Sequence, residues 1–154
     1  MWIGTGTSFT RTVYGGRPMN NRKILLDTKI LIYAWDKSDI VKHKKAIDLF
    51  LSFRHQLYLS AQNLSEFSAV MIKHKCDLEW LSETIRHLGK AIPVLPVKDS
   101  DVLDAVRAVN RYKLSYWDAQ IWAVARSNNI PSIFTEDGPV GRTIEGVTYI
   151  NPLA

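Results

Sequence analysis

The residues whose types and spacing could do chemistry are four carboxylates spread along the chain, Asp27, Glu66, Asp118 and Asp137. Two of them follow short apolar runs, and the other two stand near the starts of predicted helices. In an open parallel sheet, sites form outside the carboxyl ends of the strands, so these acids can meet at one edge. Clustered carboxylates raise one another's pKa values unless a cation neutralises them, and oxygen ligands suit Mg²⁺ or Mn²⁺. A shared metal site is therefore one interpretation of the four acids.

Each acid also has a structural explanation. Asp27 can cap the helix that follows it. Asp118 stands at capping-box spacing from Ser115. The segment Thr135–Gly138 has residue types that are typical of a turn, so Asp137 can be a turn residue. Glu66 can be a solvated helix residue. The residues alone leave both the metal site and these separate roles open.

Other common catalytic signatures are missing from the sequence. It has no Gly-x-x-x-x-Gly-Lys loop for nucleotide phosphates, no Gly-x-Ser-x-Gly elbow, and no metal-site spacing among its histidines. The single cysteine, Cys76, excludes an intramolecular disulfide and fits a reducing compartment, so we expect the protein in the cytoplasm. No run reaches the roughly 18 uninterrupted apolar residues that a membrane span needs.

The net charge of +5 comes partly from the first 22 residues, which carry three arginines and no acid. The remainder holds 17 basic and 15 acidic residues, so it is nearly neutral. Any RNA contact must then come from local patches rather than from the overall charge. Two groups of lysines are candidates, although a solvated helix face explains them equally well: Lys42, Lys44 and Lys45, and Lys73 and Lys75.

Hydrophobic spacing predicts the elements that must position the acids. Apolar runs predict short strands at 23–27, 57–59, 92–96, 132–135 and 147–150, and prolines mark the third as an edge or irregular strand. Helical spacing and capping residues predict helices at 30–34, 39–53, 60–73, 77–89, from 99 to at least 109, and 115–128. Short strands alternating with helices favour an α/β fold with a mostly parallel sheet.

The sequence divides into a leader and one domain. Residues 1–22 are rich in Gly, Thr and Ser and lack helical or strand periodicity, so we expect a flexible leader or a remnant of cloning. Residues 23–154 have the length of a single domain.

Four motifs in order along the chain resemble those of the PIN-domain ribonucleases. Residues 25–34, LLDTKILIYA, are similar to the family's opening LDTNxLxYA motif, and residues 59–67, LSAQNLSEF, to its second-acid helix, S-x-Q-x-x-x-E-F. Residues 116–119, YWDA, resemble the third-acid motif. Residues 134–153 are similar to the closing segment of the VapC toxins of toxin–antitoxin systems. The likeness covers the whole of 23–154.

The resemblance implies a PIN-like three-layer α/β/α sandwich with a central, mostly parallel sheet. It also implies a Mg²⁺- or Mn²⁺-dependent endoribonuclease that acts as the toxin of a toxin–antitoxin pair. Carried over by position, the family's catalytic and metal-binding quartet falls on Asp27, Glu66, Asp118 and Asp137, with Thr135 as a supporting hydroxyl. The implied partners are an RNA substrate, a cognate antitoxin and a second copy of the chain in a homodimer.

One position departs from the family pattern, because Lys29 stands where the family generally has Asn. An ammonium beside the carboxylates would lower metal affinity, or it could reach the scissile phosphate or turn to solvent. Lys29 thus keeps open an alternative, a catalytically weakened PIN-fold module that binds RNA or protein. A phosphatase built on strand-end aspartates is a third hypothesis, but it would require Asp at position 29, where this sequence has Lys.

Two aromatic residues beside the third acid could also contact RNA. Tyr116 and Trp117 could stack on bases. We expect them instead to pack in the core.

Overall fold

The computed structural model describes residues 13–14, 17–18 and 22–154. Strands β1 (Val13–Tyr14) and β2 (Arg17–Pro18) pair antiparallel. The rest of the predicted leader lies outside the described residues. Among the described helices, none is long and apolar enough to cross a membrane.

Within residues 22–154, six further strands build the central sheet, and six helices connect or cover them. The strands are β3 (Ile24–Leu26), β4 (Leu57–Ser60), β5 (Val94–Leu95), β6 (Ser132–Phe134), β7 (Thr143–Ile144) and β8 (Val147–Ile150). The helices are α1 (Thr28–Tyr33), α2 (Ile40–Phe53), α3 (Ala61–Lys73), α4 (Leu78–Ala91), α5 (Asp99–Tyr112) and α6 (Tyr116–Ser127).

The strand order is β5-β4-β3-β6-β8-β7, and every neighbouring pair is parallel except β7 with β8. The chain builds outward from β3 through β4 to β5, then returns to the other side of β3 with β6. This reversal makes the boundary between β3 and β6 the switch point of the sheet, where the strand ends leave a crevice. The predicted α/β fold with a mostly parallel sheet is confirmed.

Alternation along β3 divides the core between the two faces of the sheet. Ile24 and Leu26 face one apolar cluster, which contains Phe67 of α3 and further side chains of α1, α2 and α4. Leu25 faces the other cluster, which contains Trp122 and its neighbours on α6 together with α5. All three side chains of β3 are completely buried, as expected for a central parallel strand covered on both faces. The three-layer α/β/α arrangement is therefore confirmed.

A ring of charges holds α5, α6 and the β7–β8 turn together around Trp122. Arg107 and Arg126 place their guanidinium groups 5.5 and 5.8 Å from the centre of the buried indole ring. Both arginines form ion pairs with Asp104 of α5 and with Glu145 at the tip of the turn, at 3.0–3.5 Å. Each of these four charged side chains thus contacts two side chains of opposite charge. The ion pairs fix α6, which carries Asp118, against α5 and the β7–β8 turn.

The element boundaries differ from the predicted ones in a few places. Helix α4 continues through Gly89, the predicted stop, to Ala91. Leu88 and Ile92 are buried on either side of Gly89, and this burial outweighs the roughly 1 kcal/mol that a helical glycine costs. The edge position predicted for the proline-flanked strand is confirmed, although β5 has only two residues. Strand β7 was not predicted, since two residues are too few for an alternation pattern.

Candidate active site

Asp27 leaves the end of β3 at the switch point and begins α1. Its Oδ1 accepts the N–H of Thr28 at 2.8 Å, which makes Asp27 the N-cap of the helix. Its Oδ2 accepts the hydroxyl of Thr135 at 3.0 Å, and its own N–H donates to the carbonyl of Phe134 at 2.8 Å. Both carboxylate oxygens are therefore oriented by fixed donors.

Thr135 directly follows β6 beside Asp27 and is buried. Besides donating to Asp27, its Oγ1 accepts the N–H of Gly138 at 3.0 Å, which closes the loop that follows β6. A Cβ on Gly138 would approach Oγ1 and Cγ2 of Thr135 to 3.0 Å, so this position favours glycine. The hydroxyl thus joins the first acid to the loop that carries Asp137.

Glu66 lies on α3, and a chain of side-chain hydrogen bonds ends on it. Gln62 donates to Oε1 of Glu66 at 2.6 Å, Gln120 donates to the amide oxygen of Gln62 at 2.9 Å, and Tyr116 donates to the amide oxygen of Gln120 at 3.0 Å. An ionised carboxylate can only accept, and this fixes the orientation of both amides so that every bond in the chain points toward Glu66. We call Tyr116, Gln120 and Gln62 the amide relay.

The start of α3 is tied to α1 by a buried asparagine. Asn63 completes a capping box with Ser60, whose N–H it accepts at 2.7 Å. Its amide nitrogen donates to the hydroxyl of Thr28 at 3.1 Å, and all three side chains are at least 96% buried. Since Thr28 follows Asp27, this contact sets the helix that carries Glu66 relative to the first acid.

Asp118 lies in the first turn of α6. The hydroxyl of Ser115 donates to Oδ2 of Asp118 at 2.8 Å and accepts its N–H at 3.3 Å, so Asp118 does reach back to the cap. The buried hydroxyl of Tyr149 donates to the carbonyl of Asp118 at 3.0 Å. The pKa of Tyr149 is raised, first by burial and then by the charge of Asp118.

Asp27 lies within range of the charges of Glu66 and Asp118. The pKa of Asp27 is raised mainly by burial, and the charges of Asp118 and Glu66 raise it further. The hydrogen bonds from Thr135 and Thr28 act in the opposite direction without cancelling the shift. Negative charge therefore accumulates at the switch point.

This donor set is suited to a hard divalent cation, although not as a closed cage. Within residues 22–154, no three His, Cys, Asp or Glu side chains stand close enough together to hold a metal ion directly. The available donors are carboxylate and hydroxyl oxygens, which Mg²⁺ and Mn²⁺ prefer. Mg²⁺ usually keeps several waters, so separated carboxylates can still hold it, and a cation would relieve the mutual repulsion at Asp27.

Asp137 is placed differently from the other three acids. It forms an ion pair with Lys29, and both side chains are about half exposed. The adjacent Glu136 pairs with Lys42 at 2.6 Å, while its Oε2 is buried without a hydrogen-bond partner. The two lysines fasten the loop after β6 to α1 and α2. The ammonium of Lys29, which the sequence left free to approach Asp27, is thus bonded to Asp137.

The five lysines predicted as RNA contacts fall into two groups. Lys42 is paired with Glu136, and Lys45 donates to the carbonyl of Leu153 at 2.8 Å. Lys44, Lys73 and Lys75 are exposed. Their role in binding RNA stays a prediction.

Sequence reasoning missed the residues that orient the acids. Gln62, Asn63 and Gln120 were not singled out for a function, although Gln62 occupies the glutamine position of the S-x-Q-x-x-x-E-F motif, which was a signal for it. The expected core position of Trp117 is wrong, since this residue is 59% exposed. Its helical neighbour Tyr116 is half-buried.

A comparison with protein-family models finds one described as the PIN domain, which matches residues 24–142. This span contains all four acids. A sequence comparison with curated proteins finds no match.

Several solved structures share the fold. The Mycobacterium tuberculosis toxin VapC20, described as cleaving the sarcin-ricin loop, is 21% identical, with a TM-score of 0.65 over 76% of this chain and 92% of that chain. A toxin–antitoxin complex from Klebsiella pneumoniae gives 19% identity and a TM-score of 0.65 over 84% and 98%. DNA-bound VapBC from Salmonella typhimurium gives 17% and 0.59 over 83% and 96%. At these identities the likeness establishes the fold.

Proposed function

Because the chain belongs to the PIN domain family, we propose that it is a divalent-metal-dependent endoribonuclease and the toxin of a toxin–antitoxin pair. The observation that carries the proposal is the position of Asp27 at the switch point, where burial first, and then the charges of Asp118 and Glu66, raise its pKa. A divalent cation would stabilise a partly buried carboxylate that two further acids repel. The solved structures with this fold include a toxin described as cleaving the sarcin-ricin loop, which agrees with the proposal.

The proposed reaction is hydrolysis of an RNA phosphodiester to a 5′-phosphate and a 3′-hydroxyl. Asp27, Glu66 and Asp118 would hold Mg²⁺ or Mn²⁺, and Asp137 would join them when released from Lys29. When bound, the metal supplies positive charge at the phosphate and lowers the pKa of an attached water. The chain's own donors preset the acids: Thr135 and Thr28 orient Asp27.

The other two acids are preset in the same way. Ser115 holds one oxygen of Asp118, and the amide relay holds one oxygen of Glu66. Such preorganisation keeps the acids ready for the reaction, since fixed donors need no reorientation during it.

The proposed partners follow from the same argument. A free RNA-cleaving toxin would harm its host, so we expect an antitoxin whose basic side chain pairs with the acids. Two of the solved structures with this fold are complexes of toxin and antitoxin, one of them bound to DNA. We also expect a homodimer.

The Lys29–Asp137 ion pair favours the alternative, a catalytically weakened module that binds RNA or protein. With Asp137 engaged by an ammonium, three acids remain to hold the metal. Such a protein would bind RNA without cutting it.

Incubating the purified protein with total RNA tests the proposal directly. Separate arms contain Mg²⁺, Mn²⁺ or EDTA, and cleavage is followed by gel and by the chemistry of the new ends. We expect new 5′-phosphate ends with either metal and none with EDTA. Binding of RNA without cleavage in any arm would favour the weakened module instead.

A matched pair of variants assigns any activity to this site. Asp118→Asn should abolish cleavage, because it removes a charge at the switch point while keeping the side-chain size. Glu83→Gln is the control, since Glu83 is an exposed acid on α4 that pairs with Arg86. Equal activity in both variants would mean that a contaminating nuclease cuts the RNA.

A further inference from the structure

An open groove of about 450 Å³ runs between α3 and the start of α6. Its apolar wall consists of Ala61, Ala69, Val97 and Trp117, with Ser65 between the two alanines. Glu66 also lines the groove, so the groove reaches one of the three acids. A ligand held at the acids can therefore extend into the groove.

Trp117 is the unusual member of this lining. It is 59% exposed, whereas Trp122, five residues later on the same helix, is completely buried. Tyr116 braces Trp117 edge to face, with ring centres 5.1 Å apart and planes at 78°. Tyr116 is itself held by its hydrogen bond to Gln120. The structure thus presents a large aromatic surface to solvent in a fixed orientation, next to Asp118.

The polar side chains that line the groove are Ser65, Glu66, Gln62 and Gln120. The two glutamine amides already hydrogen-bond to each other and to Glu66 and Tyr116 in the relay, so most of the remaining lining is apolar. The small side chains of Ala61, Ser65 and Ala69 leave room for a flat ring opposite the indole. These features fit a planar, uncharged group that is recognised by its face rather than by its edge.

We propose that this groove binds one unstacked nucleobase of the RNA strand, with Trp117 as its stacking surface. The inference rests on the proposed ribonuclease function, because it places the neighbouring phosphate at the carboxylates. Single-stranded RNA and loops supply splayed bases, and aromatic side chains stack on them with little dependence on sequence. The preferred substrate is therefore RNA with an unpaired base beside the cleaved bond.

The test compares two probes of equal charge, labelled dodecauridylate and a ribose–phosphate dodecamer that lacks bases. Binding is measured in EDTA, so that neither probe is cleaved. Wild-type protein should bind the uridylate more tightly. Trp117→Ala should weaken uridylate binding about 5- to 100-fold, the range for loss of one stacked base, and leave binding of the abasic probe nearly unchanged. Trp117→Phe should restore part of the difference.

Two controls separate stacking from other causes. Trp80→Ala removes a partly exposed tryptophan of α4 that does not line the groove, and it should leave both affinities unchanged. The salt dependence of uridylate binding should keep its slope in Trp117→Ala, because phosphate contacts set that slope.

Four results would overturn the proposal. Equal weakening for both probes would mean that Trp117 acts through the fold or the charges. Loss of antitoxin binding or of dimer formation with intact base preference would assign the groove to a protein partner. Metal-dependent cleavage of total RNA by wild type and Trp117→Ala alike, with no base preference, would refute the groove while leaving the proposed function standing. Absence of both binding and cleavage in wild type would reject both.

Discussion

Replacing Gln62 by Met, alone and together with Gln120→Met, tests whether the amide relay behind Glu66 acts as a unit. Met has a similar length but no hydrogen-bonding amide. Gln62→Met removes the 2.6 Å bond to Glu66, and a bond to a charged group is worth about 1.5–3 kcal/mol. It also leaves the buried amide nitrogen of Gln120 without its acceptor, at a cost of about 1–3 kcal/mol. The single variant should lose about 3 kcal/mol or more.

The free energy of unfolding of the double variant should be scarcely lower than that of Gln62→Met alone. Once Gln120 is also Met, the relay contains no amide that could be left unpaired, and the hydroxyl of Tyr116, which is half-buried, can turn to water. The expected coupling between the two sites is therefore about 1–2 kcal/mol.

Urea unfolding of the wild type, both single variants and the double variant measures this coupling. The slope of unfolding free energy against urea should be the same in all four, which shows that the compared states are alike. If the losses of unfolding free energy in the two single variants add up to the loss in the double variant within about 0.5 kcal/mol, the relay does not act as a unit, because independent sites are additive in that way.

Three further predictions concern the acids themselves. Thr135→Val should destabilise the protein by about 1.5–3 kcal/mol by urea unfolding, because it deletes the hydrogen bond to Asp27, whereas Thr135→Ser should not; equal losses would assign the effect to packing. Lys29→Asn should tighten Mn²⁺ binding in calorimetry by up to about fivefold, since an exposed ion pair with Asp137 is worth at most about 1 kcal/mol; unchanged affinity would show that Asp137 is no ligand. Asp27→Asn should raise the melting temperature at pH 7 in EDTA. The raised pKa of Asp27 means that the wild type loses stability as pH rises from about 3.8 through the folded-state value, and the difference between the two proteins should vanish at lower pH.

The sequence predicted most of the architecture because its main elements carry local signals. Asp39, Ser60, Asp77 and Ser115 are the N-caps of α2, α3, α4 and α6, as their positions before apolar periodic runs indicate. Helix α5 begins at the predicted Asp99, although its N-cap is Lys98. The positions of the acids at strand ends and helix starts followed from the same signals.

The capping contacts of Asp27 and Asp118 follow from local patterns, but the contacts that join distant parts of the chain could not be predicted. Gln62 and Gln120 are 58 residues apart, and Lys29 lies 108 residues before Asp137. No local pattern indicates which of several glutamines or lysines will meet an acid. The exposure of Trp117 could not be predicted either. An aromatic residue at a helix start usually packs inward, and only the folded structure reveals that this ring is exposed.

The hydrogen bond between Asp27 and Thr135 also determines when the site can exist during protein synthesis. Its two partners are 108 residues apart, and β3 and β6, the strands that carry them, are direct neighbours in the sheet. A ribosome adds roughly 5–20 residues per second, so about five to twenty seconds separate the synthesis of the two residues. Until β6 has emerged, the nascent chain holds its first acid without the strand that orients it. An incomplete chain released from a stalled ribosome before residue 135 would therefore lack the assembled carboxylates, and with them the activity proposed for the finished protein.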